Sequence, residues 1–506
     1  MKKYKSTIIS SSIVVTLFTI FIKVLGIVKH SVIASKIGAT IQTDAFYIAT
    51  GVIGQLAITI FSALSVTLLT FYTDKKEQES KKTANDLINS ALIFFVPIAC
   101  MISIVFFTFA PYISKLLAPS YMGESLKLLT RYVRVMSFAF IPCCYNIILN
   151  VILENEKIFT PGRSRGFFQN LFVILAVLLL FNSFEMISVV YAFLGASLIQ
   201  SIVITICSTK YFKFNIPKNK CFYEIKQIFM VSIPLIIGNT VYEINDIVDK
   251  QIATNIGEGS ASILTYGATL NEIVTGVIVA SISVVLFANF ATWISKKEFD
   301  KIENSFIVVM NALIMIIVPI FVMCLVSGKE IVTLFYGHGQ LSNDKLDDIN
   351  MVLIGYAVGF VFQAFRANLI KILYAFKDTK ATMINGIISI VFNIILSVIL
   401  SKMIGIWGIS LATSLAIFVA TLLLYISVKK YLPDLSIVKI IDGYHKYIFA
   451  GLLSYVLVYL LHSFICFNYF INLCIEGFVC LIIYILVLIM LKSNGINYLI
   501  KKTRII

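Results

Sequence analysis

Long apolar runs separated by short polar connections make up almost the whole chain. A helix needs roughly 20 apolar residues to cross about 30 Å of hydrocarbon, and we find fourteen runs that approach or exceed this length. The pattern therefore predicts an all-α polytopic membrane protein with fourteen transmembrane helices. The predicted spans are 7–29, 43–71, 86–110, 126–152, 167–182, 186–208, 228–250, 262–292, 304–326, 349–371, 382–400, 404–428, 446–464 and 470–491.

Positive charge alternates between successive connections. Every second connection is rich in lysine or arginine, whereas the intervening ones carry one or two basic residues at most, and SNDKLDDIN before the tenth span is acidic. Basic connections of membrane proteins face the cytoplasm, so we predict that both termini are cytoplasmic. The basic segments are 2–5, 75–82, 157–165, 210–226, 296–301, 377–380, 429–430 and 492–504.

Composition excludes several other classes of protein. The chain is 59% hydrophobic and 13% charged, with a mean hydropathy of +0.95, which leaves too little polar surface for a soluble globule of 506 residues. The net charge of +15 is accounted for by the basic connections, so it does not indicate nucleic-acid binding. The nine cysteines lack metal-binding spacing. Because the longest predicted connection, around 327–350, has only about twenty residues, a glycosyltransferase or polymerase is disfavoured.

An internal repeat indicates how the helices are organised. IASKIG at 33–38 recurs as IATNIG at 252–257, and YIAT at 47–50 recurs as YGAT at 266–269, both at an offset of about 219 residues. The copies are six spans apart, and an even number of crossings preserves orientation, so the halves are predicted to be parallel repeats with a substrate site between them. We predict one lobe at 1–215, a second at 216–432, and two further helices with a cytoplasmic tail at 433–506.

Ionisable residues at membrane depth are costly, and each is a candidate functional residue. Those predicted in the first lobe are mainly cations, whereas the second lobe carries three carboxylates at a spacing of three, on one helix face. Near a membrane interface, the same residues could instead snorkel or cap helices. We predict anion contacts at Lys23, Lys29 and Arg366, and gate or coupling residues at Asp44, Arg131, Arg134, Glu243, Asp246, Asp249 and Glu272.

Several segments resemble the MurJ/MviN lipid II flippases. VLGIVKHSVIASKIGATIQTDAF is similar to the first two helices of that family, and IPLIIGNTVYEINDIVDKQIATNIGEGS with LTYGATLNEIVTGV is similar to helices seven and eight. IVTLFYGHGQ and LIKILYAFKDTKATMINGIISIVFNIILSVIL, with GIWGISLATSL, resemble helices nine to twelve. The resemblance implies two six-helix lobes around a V-shaped cavity, with the last two helices forming a groove for a polyprenyl tail. It also implies transport of lipid II, an undecaprenyl diphosphate that bears the disaccharide-pentapeptide of peptidoglycan.

The resemblance also assigns roles to individual residues. Two family arginines of the first helix fall on Lys23 and Lys29, the TDAF aspartate falls on Asp44, and the eighth-helix glutamate falls on Glu272. Two further family arginines fall on residues without charge, Ala57 and Thr269. Lysine retains a point charge but lacks the planar fork that suits a phosphate. Another polyprenyl-diphosphate-linked glycan, such as a capsule or teichoic precursor, therefore remains open as the substrate.

We expect a flippase, not an enzyme, that moves a lipid-linked glycan from the inner to the outer leaflet of a bacterial cytoplasmic membrane by alternating access. No ATP-binding P-loop is present, so the membrane potential or a coupling ion would supply energy, and no cofactor is expected. Envelope-synthesis proteins are a further class of partner. The alternatives are a cation-coupled multidrug antiporter of the same exporter superfamily, using the predicted carboxylates, and a non-transporting scaffold for envelope synthesis.

Overall fold

The computed structural model describes residues 2–217, 221–279, 290, 293, 294, 296–465, 467–493 and 495. These residues form helices and their connections, with no β-strand among them, which confirms the predicted all-α class. The chain divides into two compact units, Met1–Ser262 and Ile263–Ile506.

The described residues of the first unit form ten α-helices. A π-helical stretch, Thr50–Gly54, joins the second and third of them into one long helical segment. The helices are α1 Lys2–Lys36, α2 Ile41–Ala49, α3 Gln55–Gln78, α4 Lys81–Thr108, α5 Ala110–Leu117, α6 Gly123–Ser137, α7 Phe140–Asn155, α8 Thr160–Leu179, α9 Phe181–Ser208 and α10 Phe222–Thr254.

The second unit begins within the first turn of α11, Ser260–Ile273, which continues into a π-helical stretch, Val274–Val279. The other described helices are α12 Phe299–Val326, α13 Gly328–Tyr336, α14 Asn343–Ala357, α15 Phe360–Ala375, α16 Thr379–Ile404, α17 Ile406–Lys429, α18 Ile437–Ile441, α19 Tyr444–Phe464 and α20 Tyr469–Met490.

Ten helical segments of the described chain are long and apolar enough to cross a membrane. An eleventh is obtained if α14 and α15, which are bent by 44° at a short break, form one span. The predicted count of fourteen is therefore not confirmed. Of the remaining three predicted spans, 167–182 and 228–250 lie on α8 and α10, and 262–292 extends from α11 into residues outside the described part.

Helix α10 packs against α3, and this contact places it in the first unit. Ser232 of α10 is buried, and its hydroxyl donates to Thr67 Oγ1 of α3 at 3.0 Å. Hydrogen bonds of this kind hold helices together where apolar contact with a neighbour gains little over contact with lipid. The repeat, in contrast, places this helix in the second lobe. A unit held together by packing contacts need not coincide with a sequence repeat, so the predicted lobe boundaries stay a prediction.

Small residues bring helices of the second unit into close contact. Ser414 of α17 donates to the carbonyl of Gly355 in α14 at 2.6 Å. A Cβ added at Gly355 would lie 2.1 Å from Ser410 Oγ and 2.8 Å from Trp407 Cδ1, so a larger residue here would force neighbouring side chains of α17 to repack. Helix α19 packs against α12 and α20 and carries the buried Tyr447, whose hydroxyl donates to Asn311 Oδ1 at 3.2 Å.

Candidate gate and substrate site

The first turn of α2 fixes the position of Asp44. Thr40 caps the helix: its hydroxyl accepts from the backbone N–H of Thr43, and the Thr43 hydroxyl accepts from the Thr40 N–H. Such reciprocal capping satisfies amide groups that have no partner within the helix. Asp44 follows directly and is fully buried, so its carboxylate needs hydrogen-bond donors from neighbouring elements.

Those donors come mainly from the start of α11. Asp44 Oδ2 accepts from the Gly259 N–H at 2.8 Å, and Oδ1 accepts from the Ser262 N–H at 2.7 Å and the Ser262 hydroxyl at 2.6 Å. The Tyr121 hydroxyl lies 3.5 Å from Oδ2. Helix N-termini carry partial positive charge and unpaired N–H groups, so a buried carboxylate is stabilised there. We call Asp44, Tyr121, Gly259 and Ser262 the Asp44 cluster.

Two features show that the Asp44 cluster is closely packed. Gly259 has φ +86°, and a Cβ at this position would lie 2.4 Å from the Ala39 carbonyl oxygen, so only glycine fits without rearrangement. Burial, and the negative charge of Asp44 in contact with it, raise the pKa of Tyr121. The phenol is thus held in its neutral, hydrogen-bond-donating form.

Further hydrogen bonds attach the same segment of the chain to the helices of the first repeat. Glu258 accepts from the Ile41 N–H at 3.3 Å, and the Ser120 hydroxyl donates to the Thr254 carbonyl at 2.9 Å. Residues 251–262 are consequently fixed at several points to α2 and to the connection before α6. These hydrogen bonds hold the C-terminal end of α10 and the segment after it against the start of α2 and the connection before α6.

An ion pair holds the N-terminal end of α10 against α3. Lys75 of α3 pairs with Glu224 of α10 at 2.5 Å, and both side chains are half-buried. Lys76 of α3 pairs with Glu156, which follows α7. Both residues of the first pair lie in segments, 75–82 and 210–226, that the sequence predicts to be cytoplasmic.

Glu243, Asp246 and Asp249 of α10 each have a neutral or same-helix group among their partners. Glu243 accepts from Gln55 Nε2 and Thr59 Oγ1 of the α3 segment, both at 3.2 Å. Asp246 pairs with Lys250 one turn later on the same helix at 2.7 Å. Asp249 is buried, and its Oδ2 accepts from Asn245 Nδ2 at 3.3 Å.

Lys250 and His30 were missed by the sequence analysis. The Lys250 ammonium lies against Gly51 of the π-helical stretch, where an added Cβ would be 2.6 Å from Nζ. His30 Nδ1 is 2.9 Å from the Tyr47 hydroxyl, and its ring lies within electrostatic range of both Lys29 and Lys250. The signal for Lys250 was available, because it lies four residues after Asp246 on the same helix.

The predicted anion contacts lie on two helices. Lys23 and Lys29 are half-buried on α1, and their six-residue separation corresponds to about 9 Å along the helix. Arg366 is half-buried on α15 in the second unit, where Glu272 is exposed on α11.

Ala57, to which the family resemblance assigns an arginine, is fully buried on α3. The larger side chain would require repacking in this conformation.

Arg131 and Arg134 are exposed on α6. Arg134 lies over the Phe107 ring at 5.6 Å, and Arg131 borders an apolar cavity of about 660 Å³ between α8 and α9. Within the part of the chain that the structure describes, neither arginine forms a salt bridge. The predicted pairing of first-lobe cations with carboxylates of α10 or α11 stays a prediction.

The described chain has helical segments of membrane-spanning length, arranged in two compact units, and charged residues lie within these segments. These features define a polytopic membrane transporter. The family model for lipid II flippase MurJ matches residues 33–479. The chain belongs to this family.

Relatives and solved structures agree with the family assignment. A probable lipid II flippase MurJ of Treponema pallidum is 25% identical over 446 residues, which cover 85% of this chain and 83% of the relative. The lipid II flippase MurJ of Thermosipho africanus is 26% identical over 439 residues, covering 84% of this chain and 86% of the relative.

Among solved structures, a lipid II flippase MurJ in an inward closed conformation matches 94% of this chain and 98% of its own, with TM-score 0.81 and 22% identity. An inward-facing multidrug resistance MATE family transporter matches 82% of this chain and 95% of its own, with TM-score 0.70 and 14% identity. Both solved structures therefore share the fold of this chain.

Proposed function

We propose that this protein moves lipid II from the inner to the outer leaflet of the bacterial cytoplasmic membrane. The observation that carries the proposal is the match of the lipid II flippase family across residues 33–479. The charged residues on α1 and the arrangement around Asp44 would supply a physical basis for transport.

The headgroup must cross hydrocarbon while its tail stays in lipid. Lys23 and Lys29 on α1 would bind the diphosphate through charge-assisted hydrogen bonds. Arg366 stays a separately predicted anion contact of the second unit. A lysine ammonium offers three rotatable donors at a single point, so these contacts would attract the diphosphate without fixing its orientation. The polyprenyl tail would run along α19 and α20, whose outer faces carry many exposed apolar side chains.

Alternating access requires that the outer side closes while the inner side is open, and the reverse. The Asp44 cluster would close the outer side, because it buries a carboxylate that is stable only with its donors in place. The Lys75–Glu224 pair would close the inner side. Membrane potential or an ion gradient would drive the exchange, since moving one charge across 100 mV supplies about 2.3 kcal/mol. Both termini would be cytoplasmic.

A second substrate class follows only from the resemblance, which assigns family arginines to the positions of Lys23, Lys29, Ala57 and Thr269. Because lysine, alanine and threonine stand there, fewer bidentate phosphate contacts would be available. Another polyprenyl-diphosphate-linked glycan would need the same tail groove but a different headgroup fit. A multidrug antiporter is not favoured, because the family model is that of lipid II flippases and the MATE structure is the more distant match.

Complementation tests the proposal. Expression of this chain should restore growth to a bacterial strain depleted of its own lipid II flippase. Lys127→Ala is the control for loss of a basic residue outside the proposed site. Lys127 is exposed and pairs with the nearby Glu124 in the described residues, so this variant should restore growth as the unchanged chain does. If the protein reaches the membrane and growth is not restored, lipid II is not its substrate in that strain. The same assay in strains lacking other lipid-linked glycan flippases would then identify the class.

A further inference from the structure

Four polar residues of the second unit meet where the last two helices contact α13. His462 lies in the last turn of α19, Glu476 lies in α20, Glu330 lies in the first turn of α13, and Ser327 directly precedes α13. We call these the acid–histidine cluster. None of them takes part in the Asp44 cluster or in the predicted diphosphate contacts.

The cluster centres on a carboxylate that is sealed from solvent. Glu476 has 0% side-chain exposure; its Oε1 is 2.8 Å from His462 Nδ1, and its Oε2 accepts from the Ser327 hydroxyl at 2.5 Å. Burying a carboxylate among apolar helices is costly unless it is hydrogen-bonded or paired. Both oxygens of Glu476 are satisfied, so its position is fixed by α12, α13 and α19 together.

A second carboxylate faces the other nitrogen of the same imidazole. Glu330 Oε1 lies 3.7 Å from His462 Nε2, which is within ion-pair range but beyond a hydrogen bond. Its Oε2 is buried and accepts no hydrogen bond in the described residues. The side chains of His462 and Glu330 are 35% and 18% exposed, so this half of the cluster can be reached from the surface.

The number of N–H groups on the imidazole decides how many of the flanking carboxylates it can bond. A neutral imidazole has one N–H and can donate to only one of two flanking carboxylates, whereas an imidazolium donates from both nitrogens. The last turn of a helix also stabilises a cation, and the first turn of α13 stabilises the Glu330 carboxylate. In the described residues no group of three or more His, Cys, Asp or Glu side chains is arranged to hold a metal ion.

We propose that His462, Glu330 and Glu476 form a proton-binding site, with the exchangeable proton between His462 Nε2 and Glu330. The loop charges predict that this end of α19 and α20 faces outside, so the proton would come from the external medium. Uptake converts an imidazole between two carboxylates into an imidazolium that bridges them, and release reverses this without any other group changing. The site would make the proton a coupling ion of the proposed flippase, and in this respect it rests on that function.

Other charged or titratable groups lie on the same elements. Lys329 precedes Glu330 and pairs with Asp347 of α14 at 2.6 Å. Cys324, Cys480 and Tyr459 lie about one helical turn from Ser327, Glu476 and His462, respectively. Lys329 is paired with Asp347, and among the described residues Glu330 and Glu476 are the anionic groups paired with His462.

Flipping by the full-length protein in proteoliposomes tests the site. The membrane potential is held at one constant inside-negative value, and the external pH is varied between about 5 and 8, the range in which imidazole ordinarily titrates. We expect the wild-type lipid II flipping rate to change about threefold or more across one pH unit near the midpoint of a single site. His462→Gln and Glu330→Gln should flip at a rate that does not depend on external pH.

His445→Gln is the matched control, because His445 is exposed at the other end of α19, and it should keep the wild-type pH response. A structural role alone would lower the rate of His462→Gln by one factor at every pH, and that outcome would overturn the proposal. A wild-type rate that does not respond to external pH would also overturn it. If His462→Gln does not fold, Glu330→Gln and the pH dependence of the wild-type melting temperature decide the question. Absence of flipping by the wild type at any pH would instead refute the proposed function.

Discussion

Asp44 of α2 and Gly259, just before α11, are joined by a 2.8 Å hydrogen bond between a buried carboxylate and a backbone N–H. The two residues are 215 positions apart, so this contact ties α2, in the first predicted repeat, to the segment just before α11, in the second predicted repeat. A buried charge held by amide dipoles is strongly stabilised while its donors are present and costly when they leave. The free energy of this contact would therefore differ strongly between a conformation that keeps the donors beside Asp44 and one that removes them.

Replacing Asp44 with Asn should weaken the hydrogen bonds that close the outer side in the proposed transport cycle. Asparagine keeps the shape but loses the charge, and its NH2 group would face N–H donors that need an acceptor. Charge-assisted hydrogen bonds contribute about 1.5–3 kcal/mol each, so we expect a loss of about tenfold or more in flipping. The measurement is lipid II flipping in proteoliposomes. Asp74→Asn, at an exposed carboxylate of α3, should flip normally; equal rates for both variants would show that Asp44 has no role in closure.

Gly259→Ala tests the close approach of the backbone at the Asp44 cluster. The substitution adds a Cβ at φ +86° and within 2.4 Å of the Ala39 carbonyl, so we expect a free energy of unfolding lower by about 1 kcal/mol or more. Gly195→Ala is the control, because nothing lies within 4 Å of its Cβ position, and alanine favours a helix interior. Thermal unfolding of the purified variants measures both. A Gly259→Ala protein as stable as the Gly195→Ala protein would contradict the account of the contact.

The membrane orientation follows from loop charge and can be measured directly. Asp344→Cys and Glu79→Cys, in a cysteine-depleted background, place thiols at exposed positions of α14 and after α3. We expect an impermeant thiol reagent to label position 344, but not 79, in intact cells. The reverse labelling pattern would invert the topology and would place the acid–histidine cluster on the cytoplasmic side.

Charge reversal tests whether first-lobe cations approach the carboxylates of α10. Glu243→Lys should impair transport because it removes the acceptor of Gln55 and Thr59 and places an ammonium beside them. If Lys29 approaches Glu243 during the cycle, the double variant Glu243→Lys with Lys29→Glu should recover part of the flipping rate. Gln55→Ala isolates the loss of the local hydrogen bond. No recovery in the corresponding swaps with Lys23, Lys29, Arg131, Arg134, Glu243, Asp246 and Glu272 would exclude electrostatic pairing between the lobes.

The sequence predicted the all-α class and singled out Asp44, because a long apolar period and a charge at membrane depth are local signals. It did not identify Tyr121 or Ser262 as partners of Asp44. Their distances along the chain, 77 and 218 residues, carry no local pattern. The same limit applies to the acid–histidine cluster, whose members become neighbours only when α13, α19 and α20 pack.

Helix α10 illustrates a different limit. The spacing of Glu243, Asp246 and Asp249 predicted one acidic face, but spacing alone does not specify which donors that face would meet. In the structure, Glu243 contacts neutral side chains of the α3 segment, and Asp246 pairs within its own helix. Lys250 could have been recognised by its four-residue offset from Asp246, whereas His30 could not, because its neighbours belong to three different helices.

The central claim is that Lys23 and Lys29 hold the diphosphate of lipid II, and the rate of lipid II flipping by purified variants in proteoliposomes tests it most directly. Lys23→Ala and Lys29→Ala should each abolish flipping while leaving the protein folded, because each removes a point charge from α1. Lys→Arg at either position should be tolerated or increase the rate, since arginine adds a bidentate fork. Flipping by both alanine variants at the wild-type rate would contradict the account and would move the anion site to Arg131, Arg134 or Arg366.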